Sequence, residues 1–263
     1  MEKFHKHAPK QTGIALPLPI IALILCTTLG TSFLSGIFGM AGGLILMGVL
    51  IAVMPVSQAM IVHGVIQMFA NGWRAFLLRD HIKWTLIVRY SAGASTAFVG
   101  LLFVSWTPDK HLLYLFLGLI PMIIWLPRQF FHLDISRRND ALLAGLVVSG
   151  LNTIAGVAGP VLDIFFVQSE MTRKEIVANK SFTQLIAHLV KIVVWTGPAI
   201  AAAEQTPPPP LWLFITAIPI TMLGTWLGGR VLHHMNDVNF KRYMKWLVTA
   251  IGVVFLGRAV ALW

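Results

Sequence analysis

The chain has 263 residues, of which 57% are hydrophobic and 11% charged, against about 25% charged in a soluble domain. Its mean hydropathy is +0.77, which excludes a soluble domain of any size. The formal net charge of +10 is therefore read as Lys and Arg gathered in the loops of a membrane protein, not as a nucleic-acid surface.

Apolar runs of about 20 residues recur, each enough to cross a hydrocarbon core of about 30 Å, and eight membrane segments are expected. A basic tail over 1–13 leads into the first, 14–54, which is too long for one pass and is broken near Ser35 to Gly43. The second spans 57–78, the third 84–104 and the fourth 111–131. A polar connection over 132–140 separates the halves. The fifth segment, 141–169, is broken near Asn152 to Pro160; the sixth spans 174–202, the seventh 211–229 and the eighth 240–262. Pro207 to Pro210 cannot be helical and forms a stiff extended loop. The N-terminus has the look of a signal peptide, but its apolar run flows directly into the glycine segment, so no cleavage is expected. Cys26 is the one cysteine, so it has no disulfide partner and makes no metal site. Bulky Leu25 before it disfavours lipid attachment.

The two breaks correspond. Residues 39–74 reappear without a gap, though changed, at 156–191. Gly39-Met40-Ala41-Gly42-Gly43 falls on Gly156-Val157-Ala158-Gly159-Pro160, and His63, Gln67, Asn71 and Arg74 fall on Lys180, Gln184, His188 and Lys191. The chain thus reads as an all-α polytopic protein of two repeats, 14–131 and 141–263. Each has about four segments, the first broken or re-entrant at its glycine motif. Such an arrangement points to a transporter with its site between the repeats.

Loop charge sets the orientation. Arg79 and Lys83, Arg137 and Arg138, Arg173 and Lys174, and Arg230, Lys241, Arg242 and Lys245 mark loops expected to face the cytoplasm. The loop after segment two is basic while its counterpart after segment six is the neutral proline loop, so the repeats are read as inverted. This holds if each broken segment dips in and returns, and it leaves Lys3, Lys6 and Lys10 outside.

The polar residues inside the membrane carry the chemistry. His63, Gln67, Asn71 and Arg74 are spaced by 4, 4 and 3 and project from one helix face. A charge at mid-membrane costs about 2.5–3.5 kcal/mol even on the milder insertion scale, so such residues should face the bundle interior or a water-filled path. Arg74, Lys180 and Lys191 could instead snorkel to the interface, and Gln67 and Gln184 could simply join helices. Gly39, Gly42, Gly43, Gly156, Gly159 and Pro160 permit an unwound backbone, and a half-helix starting there aims free N–H groups and a positive dipole end at an anion. The alternative for the glycines is close helix packing. Asn152 is a further candidate ligand. Asp163 could pair with Lys180 or Lys191, or carry a coupling proton; the first half has Leu46 at that position. His233 and His234 are read as solvated loop residues, and no metal site is expected.

This pattern resembles the sulfite exporter TauE/SafE family, also called the TSUP family of anion transporters. The resemblance covers nearly the whole chain. It is carried by Ser35-Gly36 with Gly39 to Gly43, by Ser149-Gly150 with Gly156 to Pro160, and by the following helices with Gln67 and Gln184. Met40 and Ala41 interrupt the richer glycine run usual in the first motif. The resemblance implies a multi-pass protein of a bacterial plasma (inner) membrane that carries sulfite, sulfoacetate or other organosulfonates, often outward. Substrate is expected between the breaks, with Gln67, Gln184, His63, Asn71, Arg74, Asn152, Lys180, His188 and Lys191 as donors and charges. Expected partners are this small anion and the bilayer, with a homodimer as candidate assembly, and no nucleic acid or cofactor. No phosphate-binding glycine loop is present, so ATP is not expected to be used directly. Competing classes are a passive anion channel, a membrane-embedded enzyme, which would need a catalytic cluster the sequence lacks, and a cation transporter, disfavoured by so few carboxylates (Asp163, Glu170 and Glu204).

Overall fold

The computed structural model describes residues 16–39, 41–104, 107–127, 132–166, 168–203, 207–234 and 237–263. The basic tail, Met40 of the first motif, the end of the fourth segment at 128–131, and Glu204 lie outside the described residues. The fold is all-α, with ten helices and no strand among the described residues.

The breaks fall at the two glycine motifs. Helix α1 (Leu18–Phe38) starts after Pro17 and ends at Gly39, whose φ of 76° lies in the region that disfavours a side chain and whose N–H returns to Ser35 O at 2.8 Å. Helix α2 (Ala41–Val53) then packs back on α1: a Cβ at Gly42 would meet the Thr31 carbonyl. In the second half α6 (Arg138–Ala155) ends at left-handed Gly156, φ 81°, and α7 (Gly159–Phe166) returns along it. The Phe165 carbonyl accepts from Ile135 N at 2.8 Å, just before α6 begins. Gly39 and Gly156 are the positive-φ residues among those described.

The remaining helices follow local signals. Helix α3 (Val56–Leu77) begins after Pro55, and a short 3-10 turn (Arg79–His81) links it to α4 (Trp84–Leu102). Helix α5 (Lys110–Leu119) is capped by Asp109, whose side chain accepts from Leu112 N. The fourth segment does not run on as one α-helix. From Ile120 to Trp125 it tightens into a 3-10 helix, because Pro121 has no N–H to continue the α ladder. Helix α8 (Arg173–Ala201) opens with a reciprocal Thr172–Glu175 capping box. Helix α9 (Leu211–His233) runs one turn past the expected end at 229, and α10 (Asp237–Ala261) closes the described chain.

The helices pair α1 with α9, α4 with α6, α3 with α8, and α5 with α10. Two of these contacts are backbone to backbone. A Cβ at Gly93 or Gly145 would lie within about 2 Å of a carbonyl across the α4–α6 seam, and one at Gly228 would meet Phe33 O of α1. In lipid no hydrophobic force joins helices, so small residues that admit this approach do. One buried cluster centres on α2 (Leu46, Met47, Leu50, Ile51), the other on α4, α6 and α7 (Tyr90, Ala144, Val148, Leu162). The outward face is apolar, as at Val88, Phe103, Ile215 and Val254. Five described helices (Leu18–Phe38, Trp84–Leu102, Arg173–Ala201, Leu211–Leu232 and Arg242–Ala261) are long and apolar enough to cross a membrane. Helix α3 is as long as these, but its hydropathy is diluted by His63, Gln67, Asn71 and Arg74.

Candidate functional site

Helices α3 and α8 run antiparallel. His63 meets Lys191, and Gly64 and Gly72 lie against Ile192 and Leu185. Their polar faces therefore look at one another, and the two breaks close the remaining sides. The resulting cavity of about 60 Å³, open at one end, is lined from α3 by His63, Gln67, Asn71 and Arg74, and from α8 by Lys180, Ser181, Gln184 and His188. Gly39, Gly43 and Leu44 come from the first break, and Asn152, Val157, Ala158, Gly159, Pro160, Leu162 and Asp163 from the second. A water needs roughly 10–15 Å³ of such space, so the cavity has room for a group of a few heavy atoms and none for a nucleotide. The first turns of α2 and α7 reach its wall, bringing two positive dipole ends to it.

Its cations are not equivalent. Arg74 Nη2 donates to Ser35 O at 2.8 Å, and Lys191 Nζ donates to Gly156 O at 3.0 Å. Each bond reaches a carbonyl at the C-terminal end of a broken helix, where the dipole is negative; Ser35 O also accepts from Gly39 N. Lys191 also donates to His63 Nδ1 at 2.7 Å, and His63 Nε2 lies 2.9 Å from Gly43 O. The carbonyl only accepts, so Nε2 donates, Nδ1 accepts, and the ring is a neutral imidazole. Lys180 forms an ion pair with Asp163. Asn152 Nδ2 donates to His188 Nδ1 at 3.3 Å, and Asn71 Nδ2 to Gln67 O at 2.9 Å. The amide nitrogens of Gln67 and Gln184, aligned positions of the two halves, are buried with no hydrogen-bond partner among the described residues.

A family model described as Sulfite exporter TauE/SafE matches residues 23–255, a span that takes in both breaks and both polar faces. The chain belongs to the sulfite exporter TauE/SafE family. That is a family of transporters, not of enzymes, and with the five apolar helices it makes this a membrane protein. Comparison with curated proteins and with solved structures gives no match.

In this TauE/SafE chain most of the residues singled out from sequence meet in the one cavity, and three lie off its lining. Gly42 serves the α1–α2 contact, where a Cβ would overlap Thr31 O. Gly156 forms the turn and supplies the carbonyl that Lys191 holds. Lys191, fully buried, lies beneath the floor rather than on the wall. Ser181 was missed, although it lies one turn before Gln184 and two before His188 on the same face. Asn179, also missed, is 0% exposed and ties the α3–α4 link to α8: Lys83 N donates to its Oδ1 at 2.9 Å, and its Nδ2 donates to His81 O and Glu175 O. Exposure falls along the site from 30% and 26% for the Lys180 and Asp163 side chains to 1% at His63 and 0% at Lys191. The floor continues into Trp195, whose Nε1 donates to Thr153 O at 2.9 Å. Beyond it lies a second, apolar cavity of about 390 Å³ between the end of α4, α6 and the Pro198 end of α8.

Proposed function

We propose that this chain is a secondary transporter of a small sulfur-containing anion, sulfite or an organosulfonate such as sulfoacetate, carried outward across a bacterial inner membrane. The observation that carries this reading is the pair of buried, unpartnered amide nitrogens of Gln67 and Gln184, which face one small cavity at the first turns of α2 and α7. Unmet buried donors are rare in folded proteins, and two of them on one cavity call for an acceptor. An oxyanion brings several acceptor oxygens, and Lys180 and the two dipole ends supply the counter-charge. Asn71, His188 and Asn152 complete the wall.

The same reading takes 14–131 and 141–263 as two inverted repeats joined by 132–140, with α1–α2 and α6–α7 as re-entrant hairpins. Exchanging the halves turns the α1–α9 pair into the α6–α4 pair and returns α3–α8 and α5–α10 to themselves, which supports a two-fold relation. The more exposed end of the cavity lies where α3 ends and α8 begins, beside Arg79 and Arg173. By loop charge that is the cytoplasmic side, so the site in this state loads from the cytoplasm and is closed outward by the Lys191–His63 floor. Rocking of one repeat against the other exposes it to the far side. The membrane potential, negative inside, drives an anion outward; a proton carried by Asp163 or a histidine is the alternative coupling.

The test is a thermal-shift screen of purified protein with sulfite, sulfate, thiosulfate, sulfoacetate, taurine and carboxylate analogues, followed by uptake into proteoliposomes. Selective stabilisation by a sulfur anion, with saturable counterflow, supports the transporter. Unitary currents without counterflow would replace it by a channel, and no stabilisation by any anion overturns the site.

A further inference from the structure

The cavity holds a single lining carboxylate among the described residues, and it stands where it opposes an anion. Three lysine or arginine side chains lie in or under the cavity among the described residues. Arg74 is engaged by Ser35 O. Lys191 is engaged by His63 and Gly156 O and is absent from the lining. Lys180 alone is not committed to a backbone carbonyl, and its ammonium is held by Asp163. Both members of that pair line the cavity and are about a quarter to a third exposed. An anion that takes Lys180 therefore displaces Asp163 or sits beside it. Arg74, the other lysine or arginine on the lining among the described residues, already donates through Nη2 to Ser35 O.

We propose that Asp163 is a specificity-determining residue: its carboxylate, fixed on Lys180, weights the cavity against a doubly charged headgroup in favour of a headgroup with one negative charge. This rests on the anion-site reading above. The repulsion between a fixed carboxylate and a ligand scales with ligand charge, so a sulfate dianion meets twice the penalty of a monovalent sulfonate. The hydrogen-bonding partners, by contrast, are alike for the two, since both present a tetrahedral sulfur with at least three oxygens. Asp163 thus separates ligands that shape and donor geometry do not. A further charged pair near this end of α8, Lys83 with Glu175 at 3.3 Å, lies outside the cavity and is neutral in sum.

The experiment is calorimetric titration of the purified full chain in nanodiscs with sodium sulfate and with sodium methanesulfonate near neutral pH, where neither ligand changes charge. The wild-type protein is expected to bind methanesulfonate more tightly than sulfate. Asp163→Asn is expected to tighten sulfate binding by at least about tenfold more than methanesulfonate binding, and Asp163→Glu to keep the wild-type ratio. Asp163→Ser carries the same expectation as the asparagine variant and replaces it if that variant does not fold. Lys180→Gln weakens both ligands. Equal changes for the two ligands in Asp163→Asn, or weaker binding of both, overturn the role of Asp163 while leaving the anion site in place. If wild-type protein binds neither ligand, the anion site itself is wrong and this proposal falls with it.

Discussion

Replacing Gln67 by leucine separates a residue kept for the fold from one kept for a ligand. Gln67 is 5% exposed, and its amide lies against Gly43 in the first turn of α2, where an added Cβ would touch the amide at 3.4–3.7 Å. Its nitrogen has no hydrogen-bond partner among the described residues, and an unmet buried donor costs about 1–3 kcal/mol. Leucine fills similar space without that donor, so Gln67→Leu is expected to leave the empty protein as stable as wild type or up to about 1–3 kcal/mol more stable. Binding should move the other way. A hydrogen bond to a charged group contributes about 1.5–3 kcal/mol, so losing it raises Kd roughly 10- to 150-fold. Gln184→Leu, at the aligned position, should repeat both effects. The two will not simply add, because both amides serve one ligand. The assay is denaturant unfolding without anion, paired with sulfite titration. A leucine variant that is less stable when empty and binds sulfite normally would show that Gln67 joins helices and nothing more.

Gly39→Ala and Gly156→Ala both force a side chain into positive φ, costing about 1–2 kcal/mol. At Gly39 nothing lies within 4 Å of the new Cβ, whereas at Gly156 it would sit 2.9 Å from Met47 Cε, so Gly156→Ala should be the more destabilising in an unfolding titration; the reverse order refutes the packing argument. Arg74→Met removes the second donor to Ser35 O, which keeps its bond from Gly39 N, and should destabilise by about 0.5–1.5 kcal/mol, seen as faster exchange of the amides in the last turn of α1. Asn179→Ala removes three hydrogen bonds at a 0% exposed site, for a loss of about 2–4 kcal/mol. Because Asn179 is off the cavity wall, sulfite affinity of the folded variant should stay within about twofold of wild type. Gly93→Leu places a side chain against the Leu142 carbonyl across the α4–α6 seam, and size-exclusion profiles should show no monodisperse protein.

The site was legible where rare polar residues stood out against an apolar background. Spacings of 4, 4 and 3 on α3 put four residues on one face, and all four line the cavity. The same spacing on α8 gave the face of Lys191 but not its depth. Nothing in the sequence says that the end of α6 stops within reach of the lysine, so a wall residue was expected where a buried tie stands. The partner of Asp163 was open between two lysines, because the choice depends on the return of α7 along α6, set by the Phe165–Ile135 bond across the chain connection. Pro121 was present in the sequence, yet the apolar run through it reads as a continuous span, and the missing N–H outweighs hydropathy there. Asn179 gave no signal, since one asparagine near a helix start is ordinary until both its ends find backbone.

One ammonium group joins both motifs. Through His63, Lys191 reaches the carbonyl of Gly43 in α2, and directly it reaches that of Gly156 at the end of α6. The amine is fully enclosed, and a buried polar group stripped of its partners is costly in a membrane interior. Drawing α2 away from α6 breaks one of these links, so water must arrive as the link parts. Wetting of Lys191 and parting of α2 from the end of α6 are then linked through the same side chain.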